Sequence, residues 1–139
     1  SSKRIYLNIT YTEAVGESDI NVTYGPEVSE IRYYVNWGTG TTAYDVEPYG
    51  QTDSIGIFKV INNGTTTGNL QVKWNDTYTN VFTECWCNYF SSSLINLTTS
   101  YQTLCTLNQD ATTYVWCRRD YLAIPEKKNV GILFNIIES

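Results

Sequence analysis

A chain of 139 residues is the size of one domain and long enough to bury roughly 65–70% of its unfolded surface. It is 42% hydrophobic and only 17% charged, rich in Thr, Tyr, Asn and Ser, with no His and no Met; disordered chains are instead charged and poor in aromatics. The net charge of −5 argues against nucleic acid, since phosphate binding needs a basic stripe and the compact basic spots are only Arg118-Arg119 and Lys127-Lys128.

Apolar and polar residues alternate from the start, the period of a half-buried strand. Residues 4–12 set Ile5, Leu7, Ile9 and Tyr11 against Tyr6, Asn8, Thr10 and Thr12. A short strand is expected over 19–24. Another over 29–37 turns Ile31, Tyr33, Val35 and Trp37 inward, with Glu30, Arg32, Tyr34 and Asn36 outward. The Gly- and Thr-rich stretch 37–53 reads as a loop with a short edge strand at 42–46. Residues 54–61 and 69–74 read as a hairpin around 62–68, where Asn63-Gly64 is a turn signal. Strands at 80–90, 94–106, 112–118 and 130–137 complete the set, and helical periodicity is nearly absent. About eight to ten short strands predict an all-β fold, an antiparallel β-sandwich or Greek-key barrel of Ig-like architecture. The segment "QDATTYVWC" does not establish an immunoglobulin domain, because Tyr114 lies three residues before Cys117 and the tyrosine corner needs two.

Five N-x-Thr sequons occur, at Asn8, Asn21, Asn63, Asn75 and Asn96, against about two expected by chance from this composition. Asn8, Asn21 and Asn96 each stand between apolar neighbours, so a strand that buries those neighbours turns the Asn to solvent. Asn75 follows the same phase after Leu70, Val72 and Trp74, and Asn63 sits in the predicted turn. All five are thus placed where sugar could attach, and several are expected to carry N-linked glycans, which places the protein outside the cell. Cys85, Cys87, Cys105 and Cys117 form an even set that fits two disulfides in an oxidising compartment. Cys85 and Cys87 share one side of a strand, with Trp86 on the other. Bridging them to each other is awkward, so each is expected to pair with Cys105 or Cys117. A zinc site prefers paired C-x₂₋₄-C knuckles, which this spacing lacks.

Without His there is no His-based triad or common zinc hydrolase site, and no nucleophile elbow, Walker loop or calcium loop is present. No pair of carboxylates stands out for glycoside hydrolysis. The chain therefore reads as a non-enzyme without cofactors other than glycans. Trp37 and Trp74 share the phase of core aliphatics, whereas the four Trp and twelve Tyr together also suit a sugar-stacking surface. The longest apolar run, "VGILFNII" at 130–137, is far shorter than the ~20 residues that span a bilayer. No signal-peptide pattern opens the chain, so an exported protein would have Ser1 as a processed end.

The alternating N-terminal strand has two readings. Residues 4–12 either belong to the domain's own sheet or leave it to complete the sheet of a neighbour, the β-augmentation mode. In the second reading Ile5, Leu7, Ile9 and Tyr11 plug the acceptor's groove and 13–19 is the hinge. The chain then divides into an N-terminal strand and hinge, 1–18, and one β-sandwich domain, 19–139. Its Thr, Asn and Tyr content, sequons, scarce charge and alternating N-terminal strand resemble the thread-type filament subunits of thermoacidophilic archaea. That resemblance implies a β-sandwich pilin joined by donor-strand complementation and coated with glycans. The donor-strand role falls on residues 4–12. The function expected on this basis is a structural subunit of an extracellular, cell-surface filament whose partners are copies of itself. The alternative is a monomeric secreted or cell-surface adhesin or receptor-type module, in contact with cell surfaces or carbohydrate.

Overall fold

A computed structural model describes residues 2–7, 9–11, 20–25, 31–36, 42–87, 94–122 and 130–139. Its twelve strands are β1 (Ser2–Leu7), β2 (Ile9–Tyr11), β3 (Ile20–Tyr24), β4 (Ile31–Asn36), β5 (Ala43–Val46) and β6 (Phe58–Asn62). They continue with β7 (Gly68–Trp74), β8 (Val81–Trp86), β9 (Ile95–Asn96), β10 (Gln102–Leu107), β11 (Thr112–Tyr121) and β12 (Ile132–Glu138). Among the described residues there is no helix.

The fold is an all-β sandwich, as the alternation predicts. One sheet runs β10-β7-β12-β2, and the other runs β3-β6-β11-β8-β9 with β5 also on β11. Strict alternation places every second side chain between the sheets. β6 buries Phe58, Val60 and Asn62, β7 buries Leu70, Val72 and Trp74, and β12 buries Ile132, Phe134 and Ile136. Phe58 and Phe134 meet across the layers edge to face, with centroids 5.0 Å apart, a favoured aromatic geometry. Ile31 and Tyr33 are fully buried, as expected of the inward phase of the 29–37 strand. Trp37 lies outside the described residues, as does the hinge segment within 12–19.

Three sequence expectations change. First, β6 and β7 do not form a hairpin, because they lie in different sheets. Asn62 explains the crossing. Its backbone N–H donates to Ala111 O and its carbonyl accepts from Asp110 N, which holds it beside the turn leading into β11. Its buried side chain donates to Thr66 O at 2.9 Å and Leu107 O at 3.0 Å, and accepts from Gly64 N at 2.9 Å. The loop is thus wound around a side-chain amide, and the chain arrives in the opposite sheet. Gly68 opens β7 where a Cβ would come within 2.5 Å of Ile136 Cγ1.

Second, the 94–106 stretch is two strands, β9 and β10, again in different sheets. A polar turn carries the chain between them, with Ser100 N donating to Thr98 Oγ1 and Gln102 Nε2 to Asn96 O. Third, the N-terminal stretch is also two strands. β1 pairs antiparallel with β4 in a two-stranded ribbon, from Ser2 opposite Asn36 to Leu7 opposite Ile31. β2 pairs parallel with β12 through Ile9, Thr10 and Tyr11 opposite Ile132, Leu133 and Phe134. β2 also approaches β3, the edge of the other sheet. The N-terminal segment therefore covers one of the two seams of the sandwich.

Candidate functional site

β8 turns Val81, Thr83 and Cys85 inward and leaves Phe82 exposed and Glu84 half-buried on the outer face. Cys87, next in phase, is buried as well. The β8–β11 register sets Cys85 directly opposite Cys117, and both are fully buried. Burial first, then a hydrogen bond with Cys117, pushes the Cys85 thiol well above its ordinary range. Cys87 meets Cys105 of the other sheet, its S–H donating to Cys105 Sγ at 2.7 Å. That bond, with burial, raises the Cys87 pKa, and the same bond lowers that of Cys105 against the opposing effect of burial. A bulge between Thr103 and Cys105 makes the contact possible. It lets the neighbours Leu104 and Cys105 both approach the core, which a regular strand forbids. Of the partners left open by the sequence, Cys85 meets Cys117 and Cys87 meets Cys105.

Two residues beyond Cys117 on the same face of β11 is Arg119, fully buried. Its guanidinium lies 4.4 Å from the ring centre of Tyr33 and 5.0 Å from that of Tyr78. Nε donates to Thr83 Oγ1 at 3.2 Å, and Nη1 reaches the hydroxyls of Tyr121 at 3.3 Å and Tyr78 at 3.4 Å. Burial works against the charge, but the three phenols outweigh it and hold the pKa above the ordinary arginine value. Among the described residues no carboxylate reaches this cation, and Arg119 Nη2 and Tyr33 Oη are buried without hydrogen-bond partners. The cage ties β4, β8 and β11 together at the core and exposes no reactive atom.

The outer face of the same strands is different. Trp86 and Trp116 stand opposite each other on β8 and β11. They line a cleft of about 400 Å³ with Asp45, Glu47, Asp53, Cys87 and Arg118. Arg118 lies 5.5 Å from the Trp86 ring centre and is held by Glu84 at 2.8 Å and Asp45 at 3.5 Å. Trp116 is oriented by its indole N–H donating to Thr52 O at 2.8 Å and by an edge contact with Tyr114. Gln51 closes the wall. Its amide oxygen accepts from Cys117 N and its NH₂ donates to Cys117 O, both at 2.9 Å, filling the gap in the ladder between β6 and β5. The half-buried Trp116 indole, flanked by carboxylates and a guanidinium, offers stacking and hydrogen bonds to a small polar ligand such as a sugar ring. Trp86 is buried to the same degree as Trp74 and has Arg118 over its ring, and Trp74 lies in the core edge-on to Tyr78.

Four of the five sequons fall on described residues. Asn63, Asn75 and Asn96 are exposed, and Asn21 is half-buried between the buried Ile20 and Val22. Asn75 Oδ1 accepts from Gly131 N at 2.9 Å. Asn96 borders a second cavity of about 620 Å³ with Trp74 and the exposed Phe82. Asn8 lies outside the described residues. For Ile5, Leu7, Ile9 and Tyr11 the backbone register is as given above. Sequence reading missed Arg119, whose surface-like Arg118-Arg119 pair gives no hint of burial; the β11 phase, with Cys117 and Tyr121 inward, was the available signal.

Among the described residues no group of three or more His, Cys, Asp or Glu is gathered for a metal, and no helix is long and apolar enough to cross a membrane. Comparison with protein-family models, curated proteins and solved structures returned no match.

Proposed function

We propose that the chain is a non-enzymatic structural subunit of an extracellular, glycosylated filament, polymerising head to tail through its N-terminal strand. The observation that carries this reading is the short seat of β2, the second half of that strand, while β1 is held only in a two-stranded ribbon with β4. β12 pairs with β7 along all seven of its residues, from Ile132 to Glu138, but with β2 at only Ile132, Leu133 and Phe134, in parallel. The described part of β2 ends at Tyr11, opposite Phe134. A short strand at a sheet edge is a place where another strand can pair instead. A strand from a second copy, running antiparallel, could pair along the whole edge and lay Ile5, Leu7, Ile9 and Tyr11 over the seam. A contact of this head-to-tail kind that does not close on itself builds a filament. The exposed sequons fit a subunit whose outer surface carries sugar.

The test is deletion of residues 1–12. The shortened protein is expected to stay monomeric, to form no fibres by negative-stain microscopy and to be stabilised by a synthetic peptide of residues 1–12. Fibres from the shortened protein would sink strand donation.

A second reading is favoured by the Trp86–Trp116 cleft, that of a monomeric adhesin or receptor-type module gripping carbohydrate. It predicts a monomer by sedimentation and quenching of Trp fluorescence by methyl glycosides. Trp116→Ala would abolish that quenching without loss of fold. Fluorescence unchanged by every glycoside tried would reject the cleft as a sugar site.

A further inference from the structure

We propose that the four cysteines form two disulfides, Cys85–Cys117 and Cys87–Cys105. The second, in this proposal, is the covalent fastening of one seam of the sandwich, opposite the seam covered by the N-terminal strand. Four cysteines allow three pairings. Cys85 and Cys117 are directly opposed in one ladder, and Cys87 and Cys105 are already in sulfur contact between the sheets. The other pairings would need Cys85 and Cys87 to exchange partners or to bridge each other from the same side of one strand.

The chemistry balances with a disulfide of an exchange catalyst as oxidant. The Cys105 thiolate attacks it and forms a mixed disulfide. Cys87 then gives up its proton, attacks Cys105 Sγ and releases the catalyst as a dithiol. Two protons and two electrons leave the pair for each bond formed. The hydrogen bond from Cys87 to Cys105 prepares these roles, because it favours the thiolate at Cys105. Cys85 and Cys117 undergo the same exchange while the chain is still open, since folding buries both completely.

The two bonds do different work. Cys85–Cys117 joins strands that are already neighbours in one sheet. Cys87–Cys105 joins β10, the edge of one sheet, to the end of β8 in the other. In the sheet orders β10-β7-β12-β2 and β3-β6-β11-β8-β9, β10 and β8–β9 lie at one side of the sandwich and β2 and β3 at the other. One seam is thus shut covalently and the other by a short strand. Among the described residues β10 has β7 as its only neighbour in its sheet, and the bond ties it to the other sheet as well. Cys105 is also partly exposed, which leaves this bond open to reductant while Cys85–Cys117 is shielded.

The connectivity is read by peptide mapping of protein secreted through an oxidising compartment, unfolded in acid with free thiols blocked, then cut by chymotrypsin without reduction. Cleavage after Trp86 separates Cys85 from Cys87, and cleavage after Trp116 isolates Cys117 from the β11 residues before it. The expected masses link Cys85 to Cys117 and Cys87 to Cys105. Exchanged links, or four blocked free thiols, overturn the proposal. The fastening is read by native-state reduction with a small phosphine, followed by alkylation and hydrogen exchange. Label is expected on Cys87 and Cys105 before Cys85 and Cys117, with β10 amides exchanging at least tenfold faster and β11 amides unchanged. Label appearing first on Cys85 and Cys117, or β10 exchange unaltered, refutes the assigned role of the inter-sheet bond.

Discussion

Arg119 on β11 and Tyr33 on β4 stack with 4.4 Å between guanidinium carbon and ring centre, both fully buried. Lysine cannot reproduce this contact, because its compact ammonium neither stacks as a plane nor reaches the Tyr121, Tyr78 and Thr83 oxygens together. Arg119→Lys should cost about 3 kcal/mol or more. Arg119→Met should cost clearly less, since it removes the buried charge and the unpartnered Nη2 while keeping much of the volume. Urea unfolding midpoints of the two variants give the comparison, and the prediction fails if lysine is the better substitute.

Alkaline pH should unfold the domain through its buried phenols. Burial chiefly raises the pKa of Tyr33 and Tyr121 above the ordinary value, against the opposing pull of Arg119. A phenol with a raised folded-state pKa keeps its proton in the fold while the unfolded chain loses it. Its contribution to stability is therefore complete below pH about 10 and is lost as pH rises toward the folded-state value. Thermal midpoints should fall steeply above pH about 10, and Tyr33→Phe should soften that fall. Because Tyr33 Oη has no partner, the same variant should be neutral or stabilising at pH 7.

Asn62 should be among the least replaceable polar residues. Asn62→Ala strips donors from Thr66 O and Leu107 O and the acceptor from Gly64 N, at a cost of about 2–4 kcal/mol. Asn62→Asp keeps the acceptor but loses both donors and buries a carboxylate, so it should be no better than alanine. Denaturant titration decides it, and a loss below about 1 kcal/mol in either variant would contradict the loop-winding role.

Gln51 stands in for a strand residue beside Cys117. Gln51→Glu keeps the acceptor for Cys117 N, loses the donor to Cys117 O and sets a second carboxylate against Glu47, its present partner at 2.9 Å. A loss of about 1–3 kcal/mol is expected. Gln51→Ala, which removes both bonds, should in addition speed hydrogen exchange at the Cys117 amide, and unchanged protection there would argue that the ladder does not need the side chain.

The inward phases of β4, β6, β7 and β12 were legible in the sequence, because a half-buried strand writes its period of two directly into the choice of Ile, Val, Phe and Trp. The same logic put Asn75 and Asn96 at the surface, and the Asn63-Gly64 turn signal did so for Asn63. Pairing was not legible. The Asn63-Gly64 signal marks a tight turn, but a turn dipeptide does not say whether the next strand returns beside the last or crosses to the other sheet. Asn62 decides that through bonds to Leu107 and Ala111, more than forty positions away. Which of Cys85 and Cys87 meets Cys105 was not legible for a related reason, since the bulge before Cys105 breaks the period from which facing is read.

The amino-acid order by itself determined that this chain is a β-sandwich and, where apolar residues alternate without a break, which of them fill it, because burial of alternate residues is a local consequence of strand geometry. It did not determine which strands are neighbours, which cysteine meets which, or that Arg119 rather than Arg118 is buried among tyrosines. Those depend on contacts between residues far apart in the chain, and only the assembled sheets bring them together.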